Sequence, residues 1–323
     1  MRFLHTADWH LGRLLYGVHL IEDQAHVLAR LVEIAREARP DAVVVAGDVF
    51  DRAMPPQEAV RLLDEVLTPL GEEEGIPVLL IAGNHDSPVR VDYGSRLLAS
   101  RGLHVFGAAV VEPRPVVLRD AHGPVEFHCL PYAEPPLVAE LLGEPSIDHD
   151  AAMRARVRRL RSNGRRVLVA HAFVSGGRVS ESERPLSVVG EGAVGPGAFD
   201  GFDYVALGHL HRPQWVARES IRYSGSILKY SFSEATDEKG VTLVELDATG
   251  RCRTESIPLA PRRDLRSLEG RFADLLRQPR SEDYLSIALT DRGPVLDAMG
   301  RLREVFPNVL TVERPGALPP AAG

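Results

Sequence analysis

Five short apolar runs rich in β-branched residues punctuate the chain: "RFLHT" at 2–6, "AVVVAG" at 42–47, "IPVLLIAG" at 76–83, "RVLVAH" at 166–171 and "DYVALGH" at 203–209. Each is followed by turn residues and is too short for a buried helix, so each reads as a buried strand. Between the first three, apolar positions recur with a helical period over 20–37 and 57–70. Strand, helix, strand, helix, strand predicts an α/β protein whose N-terminal third is a largely parallel sheet. From about residue 104 the texture changes to short strands and loops, as in "LHVFG", "VEFHCL", "IRYSGS" and "VTLVEL", which reads as mixed sheet. The stretch "PLAPRR" at 258–263 reads as a linker that closes a main domain over 1–257. After it, 264–315 reads helix, strand ("YLSIAL"), helix ("VLDAMGRLREVF"), strand ("VLTVE"), a small appended α/β domain. The tail 316–323 is expected to be disordered.

Composition changes this picture little. At 323 residues the chain suits one large domain and a small one. A net charge of −7, from 38 basic and 45 acidic residues, is no electrostatic footprint for nucleic acid. Whole-chain charge is blunt, however, because carboxylates gathered around cations stop counting as negative surface. Cys129 and Cys252 are far apart and make no disulfide framework, which fits a reducing cytosol. No apolar run approaches the roughly 18 residues of a membrane span. No charged and apolar leader precedes "RFLHTADWH", so a cytoplasmic protein is expected.

The ends of the five strands carry the chemistry. The first is followed by Asp8 and His10, the second by Asp48, the third by Asn84, His85 and Asp86 in "AGNHDSP". The fourth ends at His171 and the fifth runs into His209 and His211 in "GHLH". The carboxyl ends of strands in open α/β sheets converge on one crevice, so groups roughly 200 residues apart in sequence should meet. In extended backbone i and i+2 face the same way, so Asp8/His10 and His209/His211 each offer two ligands to one side. Gly47, Gly83 and Gly208 precede the clusters, where a missing Cβ permits close approach of backbone. Asp8, His10, Asp48, Asn84, His171, His209 and His211 are too many for one tetrahedral site with an open position and suit two ions sharing a carboxylate. Mixed nitrogen and oxygen donors without thiolate suit Mn, Fe or Zn, and the carboxylates and amide lean toward Mn.

In order and spacing, "DWH", "GDVFD", "GNHD", the His at 171 and "GHLH" resemble the five motifs of the calcineurin-like metallophosphoesterases. The longer phrases "TADWHLGR", "SESERPLSVVG", "FDGFDYVALGHLHRPQ" and "YSGSILKYSFSEA" resemble, more narrowly, bacterial nucleases of that superfamily that act in DNA repair and recombination with a coiled-coil ATPase. The resemblance runs from residue 1 to about 257; beyond that only the layout is similar to the family's small capping domain. It implies a four-layer α-β-β-α sandwich with two Mn²⁺ at the strand ends. One ion would take Asp8, His10 and His211, the other Asn84, His171 and His209, with Asp48 between them. His85 would face the substrate, stabilising charge or protonating the leaving oxygen, and Asp86 would orient or charge His85. Archaeal and eukaryotic relatives carry a His three positions beyond the bridging Asp, where this chain has Asp51, a departure that leaves one role unassigned, shared or not with Arg52.

Candidate DNA contacts are Arg13, Tyr16 and Arg52, just after metal ligands, and Arg178 and Arg184 in the loop after His171. The run "RARVRRLRSNGRR" at 154–166 reads first as a solvated helix face, with DNA contact as the alternative. On the helix at 57–70, the apolar positions fill an arc of about 160°, wider than the roughly 100° that packing on one sheet requires. Together with Leu97 and Leu98 on a second expected helix at 91–100, that excess predicts a homodimer in which Leu62 or Leu63 meets Leu97 or Leu98. The expected activity is thus a metal-dependent DNA exonuclease and endonuclease, nucleoid-associated, with the ATPase docking beyond the capping domain. The competing readings are a phosphoesterase of the same fold acting on nucleotides or other small phosphate esters, and a non-catalytic scaffold, against which the complete ligand set argues.

Overall fold

The computed structural model describes residues 1–145, 148–160, 164–184 and 192–314. The expectation for the tail at 316–323 lies outside them.

Two six-stranded sheets face each other. In the first the strands run Cys252–Pro258, Gly240–Leu246, Arg2–Thr6, Ala42–Ala46, Val78–Ile81 and Leu103–Phe106, and the last four are mutually parallel. In the second they run Gln214–Val216, Arg218–Tyr223, Tyr204–Gly208, Arg165–His171, Gly123–Leu130 and Val116–Asp120, with the four central strands parallel. Residue alternation decides which side chains go where. Phe3, Val44, Ala46, Val167 and Val169 point into the space between the sheets, where they meet Phe127 and Tyr204. Leu4, Val43 and Val45 point outward against Val27, Leu28 and Leu31 of the helix Ile21–Ala38 and Leu62 and Val66 of the helix Gln57–Thr68. Leu168, Ala170, Val205 and Leu207 point outward on the other side, against Met153 and Phe199. This gives the four layers: helices, sheet, sheet, helices.

Two elements depart from expectation. The segment 91–100 is not one helix: Pro88–Val91 and Ser95–Leu98 are single turns separated by Gly94, whose φ of 75° ends any continuous helix. The small domain opens with a strand, Leu265–Gly270, where the sequence suggests a helix. That strand pairs in parallel with Tyr284–Leu289, which pairs in turn with Val309–Glu313. The helices Phe272–Leu275 and Ala298–Arg303 contribute Phe272, Leu275 and Leu302 to a separate core with Leu285, Ile287 and Val309. Leu265 and Tyr284 belong instead to the core of the first sheet and its helices. There the Tyr284 hydroxyl donates to buried Asp23 at 2.8 Å and Arg263 pairs with the same carboxylate at 2.9 Å. The small domain is thereby anchored to the helix Ile21–Ala38.

Candidate metal centre

The parallel strands of both sheets end at one edge of the sandwich, and the loops that leave them are stitched together by backbone. The Asp8 amide donates to Gly47 O, the His10 amide to Asp48 O, and the Tyr132 amide to Ala82 O, all at 2.9–3.0 Å. Side chains add cross-ties: the His209 amide donates to the Asp8 carboxylate at 2.9 Å, and the His85 amide to Asp48 Oδ1 at 2.8 Å. Close approach excludes larger residues at two positions. A Cβ on Gly83 would overlap Asp48 Oδ1, and one on Gly208 would overlap Ala46 O of the opposite sheet. Asp8, His10 and Asp48 have φ of 53°, 47° and 49°, and His209 has φ of 110°. Such left-handed conformations at non-glycine residues are costly and cluster where the surroundings impose them for function.

All seven expected ligands meet here, and all but half-buried Asn84 are buried. Asp8, His10 and His211 offer donor atoms within 4.8 Å of one another, as do Asp8, Asp48 and His171. His10 Nε2 and His211 Nε2 are 3.0 Å apart. At the other flank, Asn84 Oδ1 lies 2.9 Å from His171 Nε2 and 3.1 Å from His209 Nδ1. Asp48 Oδ2 stands between the two groups, 3.6 Å from His10 Nε2 and 3.5 Å from His171 Nε2.

The remaining ring nitrogens fix which lone pairs face inward. His171 Nδ1 donates to Ala46 O at 2.9 Å, leaving Nε2 free toward Asn84. His211 Nδ1 is hydrogen-bonded to Ser182 Oγ at 2.6 Å, and Ser182 Oγ donates to Glu234. Glu234 is itself held by Lys239 Nζ at 2.7 Å, which also donates to His211 O at 2.6 Å. Metal-binding histidines are oriented in this way by the groups behind them. Burial drives the His10 and His209 imidazoles well below their usual pKa, lowers that of His171, and pushes His211 down to about 4 despite Glu234. Neutral imidazole is the form that binds cations. Burial, followed by the neighbouring Asp48, raises the Asp8 carboxyl well above its usual range. Donor atoms crowded lone pair to lone pair, with neutral imidazoles and a carboxylate pushed toward its acid form, fit a pair of divalent cations, whose charge would reverse the carboxylate's shift.

His85 stands beside the group. Its Nδ1 donates to Asp51 O at 2.8 Å, its ring is edge-on to His10 at 4.7 Å, and Nε2 lies 4.0 Å from Asp48 Oδ2. It also forms a third possible ligand group with His10 and Asp51. The expected role of Asp86 is corrected: its carboxylate accepts from the amides of Val49, Phe50 and Gly83 at 2.8–3.1 Å and makes no bond to the His85 ring. A short carboxylate in a turn bonds nearby amides, and here Asp86 fastens the second strand's loop to the third's. Asp51 takes the orienting part, through its carbonyl on His85 and its carboxylate, which lies 3.6 Å from His10 Nδ1 and pairs with Arg13 at 3.1 Å.

The basic candidates divide. Tyr16 is exposed and packs on Phe232 at 5.6 Å, and Arg52, Arg178 and Arg184 are exposed. Arg13 is half-buried, bound to Asp51 and to Ser182 O at 3.0 Å and stacked over Tyr230, so it is a clamp inside the site rather than a free cation. The arginine run at 154–166 is no single face. Arg154 pairs with Asp150, Arg159 with Glu144 and Arg165 with Asp120, while Arg156 is buried.

Residues 1–213 match the calcineurin-like phosphoesterase family, and the chain belongs to it. Residues 261–320 match the family described as type 5 capsule protein repressor C-terminal domain. Over 321 residues the chain is 34% identical to the D subunit of the SbcCD nuclease from Staphylococcus epidermidis, covering 97% of this chain and 85% of that protein. It is 35% identical over 321 residues to the protein of the same name from Staphylococcus saprophyticus, covering 97% and 84%. Within the phosphoesterases the chain belongs to the SbcD nucleases.

Proposed function

We propose that this chain is a DNA exonuclease and endonuclease that cleaves phosphodiester bonds at a two-Mn²⁺ centre, as the nuclease partner of an SbcC-type coiled-coil ATPase in the cytoplasm. The observation that carries the reading is the split donor set, Asp8, His10 and His211 on one flank and Asn84, His171 and His209 on the other, around Asp48 Oδ2. Bound there, two cations would supply Lewis-acid activation of the attacking water and neutralise charge on the phosphate. The protein's own residues hold the donors: Ala46 O and Ser182 fix two imidazoles, and the Asp8 carboxylate caps the His209 amide. His85, steered by Asp51 O, presents Nε2 to the phosphate position and serves the leaving oxygen as proton donor. Arg52, Tyr16, Arg178 and Arg184, all exposed, are the residues that meet the DNA backbone in this reading. Residues 264–315 act as the DNA-facing capping domain. No helix among the described residues is long and apolar enough to cross a membrane.

The test is cleavage of labelled single-stranded and hairpin DNA with Mn²⁺, with Mg²⁺ alone, and with chelator. Cutting is expected with Mn²⁺, slower with Mg²⁺ because Mg²⁺ keeps its waters, and none with chelator, while the chelated chain stays folded. Equal rates in Mg²⁺ alone overturn the Mn²⁺ assignment, and hydrolysis of a nucleotide monoester without any DNA cleavage overturns the nuclease reading.

The homodimer belongs to the same proposal, with one correction. Leu62 is 5% exposed and packs inward, so it is not available to a partner. Leu63, Val60 and Leu67 instead line a groove of about 540 Å³ with Val89, Tyr93 and Leu98, beside which Leu97 is 80% exposed. Two copies of this face make an isologous contact. Replacing Leu63 and Leu97 with Lys is expected to give monomers by light scattering, and a wild-type chain that runs as a 35.4 kDa monomer at micromolar concentration removes the dimer.

A further inference from the structure

The donor cluster has two flanks with different aromatic neighbours. His85 lies against His10 on one side. On the other, Tyr132 is edge-on to His171 at 6.3 Å between ring centroids, and Phe173 is tilted on His209 at 6.4 Å. The His149 ring stacks beside Tyr132 at 6.2 Å with the planes 29° apart. Both rings are half-buried and neither is a metal ligand or an acid in the reading above.

The position of Tyr132 is heavily determined. Its amide donates to Ala82 O at 2.9 Å, one residue before the Gly83–Asn84 turn, and its hydroxyl donates to Glu134 at 2.8 Å. Arg156 Nη1 donates to the preceding carbonyl, Pro131 O, at 2.8 Å. Arg156 is 6% exposed and has no carboxylate partner among the described residues, a large desolvation cost for holding one carbonyl unless the turn it holds must stay in place. Between Tyr132, His149, Arg156 and His171 there is a cavity of about 20 Å³, space for about one water, so the wall behind the rings is nearly solid.

We propose that the Tyr132–His149 pair is a stacking platform for a nucleobase, that of the nucleotide which flanks the scissile phosphate on the Asn84–His171–His209 side. Arg156 is its positioning residue, acting through the Pro131 turn. The proposal rests on the nuclease reading and deepens it. Aromatic rings one nucleoside away from a phosphate site bind any base by its π-face, which gives a sequence-tolerant grip on single strands. His85, on the opposite flank, is left to the departing side of the phosphate.

The experiment compares kcat/KM on two single-stranded oligonucleotides that differ by one abasic residue, placed in turn on either side of the cleaved bond. For the wild-type chain, loss of the base on one side only is expected to lower kcat/KM roughly 5- to 100-fold. Tyr132→Phe keeps the ring and should show the same penalty. Tyr132→Leu should show none, because the stacking partner is already gone. His149→Ala, which leaves the Pro131 turn untouched, should shrink the penalty in the same way and covers the case in which Tyr132→Leu fails to fold. A penalty in Tyr132→Leu and His149→Ala equal to that of the wild type, or no penalty in the wild type, overturns the platform while leaving DNA cleavage intact. A wild-type chain that cuts no DNA at all overturns the nuclease reading and the platform with it.

Discussion

The two ends of the sandwich both bury charge, and they manage it in opposite ways. At the end where the parallel strands begin, Asp120 receives both terminal nitrogens of Arg165 and the amino group of Met1, and Arg165 adds Asp247 O at 3.3 Å. The Arg165 hydrogen bonds hold the Asp120 carboxyl well below its usual range. At the end where those strands finish, donor atoms face one another: imidazole to imidazole at 3.0 Å, and amide oxygen to two imidazoles. Asp8, His10, Asp48 and His209, four of the left-handed non-glycine residues among those described, cluster at that end of the two sheets. A buried ion pair that supplies its own counter-charge is structural. A set of buried donors with none, held in strained backbone, reserves the counter-charge for what it binds.

The largest expected effect breaks the reserved end at its middle. Asp48→Asn keeps the shape but removes the charge between the two flanks, and activity on DNA should fall at least roughly 10³-fold with fewer than two Mn²⁺ bound by calorimetry. His85→Ala should also lose roughly 10²–10⁴ in rate but still bind two ions. A single ion in His85→Ala would make His85 a ligand, in the group it forms with His10 and Asp51.

A smaller effect probes the support behind the donors. Glu234→Gln weakens the grip on Ser182 and Lys239, and so on His211, and should cost roughly 10–100-fold in Mn²⁺ affinity while the fold survives; an unchanged affinity removes the support role. Ser182 and Glu234 lie in phrases that stand out in the sequence and Lys239 just beyond one, yet nothing in one dimension joins them to His211. The five strands and their ligands are legible because period-two alternation and the strand-to-loop position are local. Asp86 is not, because adjacency to His85 suggests a pair, whereas three backbone amides within reach of a short carboxylate outcompete one imidazole. The strand Leu265–Gly270 escapes because "LRSLEG" offers an apolar spacing that suits a helix turn as well as a sheet edge, and only pairing with Tyr284–Leu289 decides. The arginine run fails as a unit because its members leave the chain in different secondary structures, Arg154 on a helix and Arg165 on a strand.

The smallest effect on catalysis, and the sharpest contrast, comes from the self-compensated end. Asp120→Asn removes the carboxylate charge opposite the still-charged Arg165 and turns one of its two acceptor oxygens into an NH2 that cannot accept, which should cost about 1.5–3 kcal/mol of stability at pH 7. Because the native carboxyl titrates below its ordinary value of 3.8, the ionised form is favoured by folding. The contribution is full above that value and is lost as pH falls through it toward the native pKa. The gap in denaturation midpoint between wild type and Asp120→Asn should therefore be constant from pH 7 to about pH 5, narrow below about pH 4 and close in stronger acid. Turnover at pH 7 should be unchanged, and added Mn²⁺ should raise the stability of both chains by the same increment, since the clamp and the donors sit at opposite ends of the strands. A gap that stays constant down to about pH 2 would mean that Asp120 acts by shape and not by charge. A Mn²⁺ increment that differs between the two chains would mean that the ends are coupled through the sheets, and the division between them would fail.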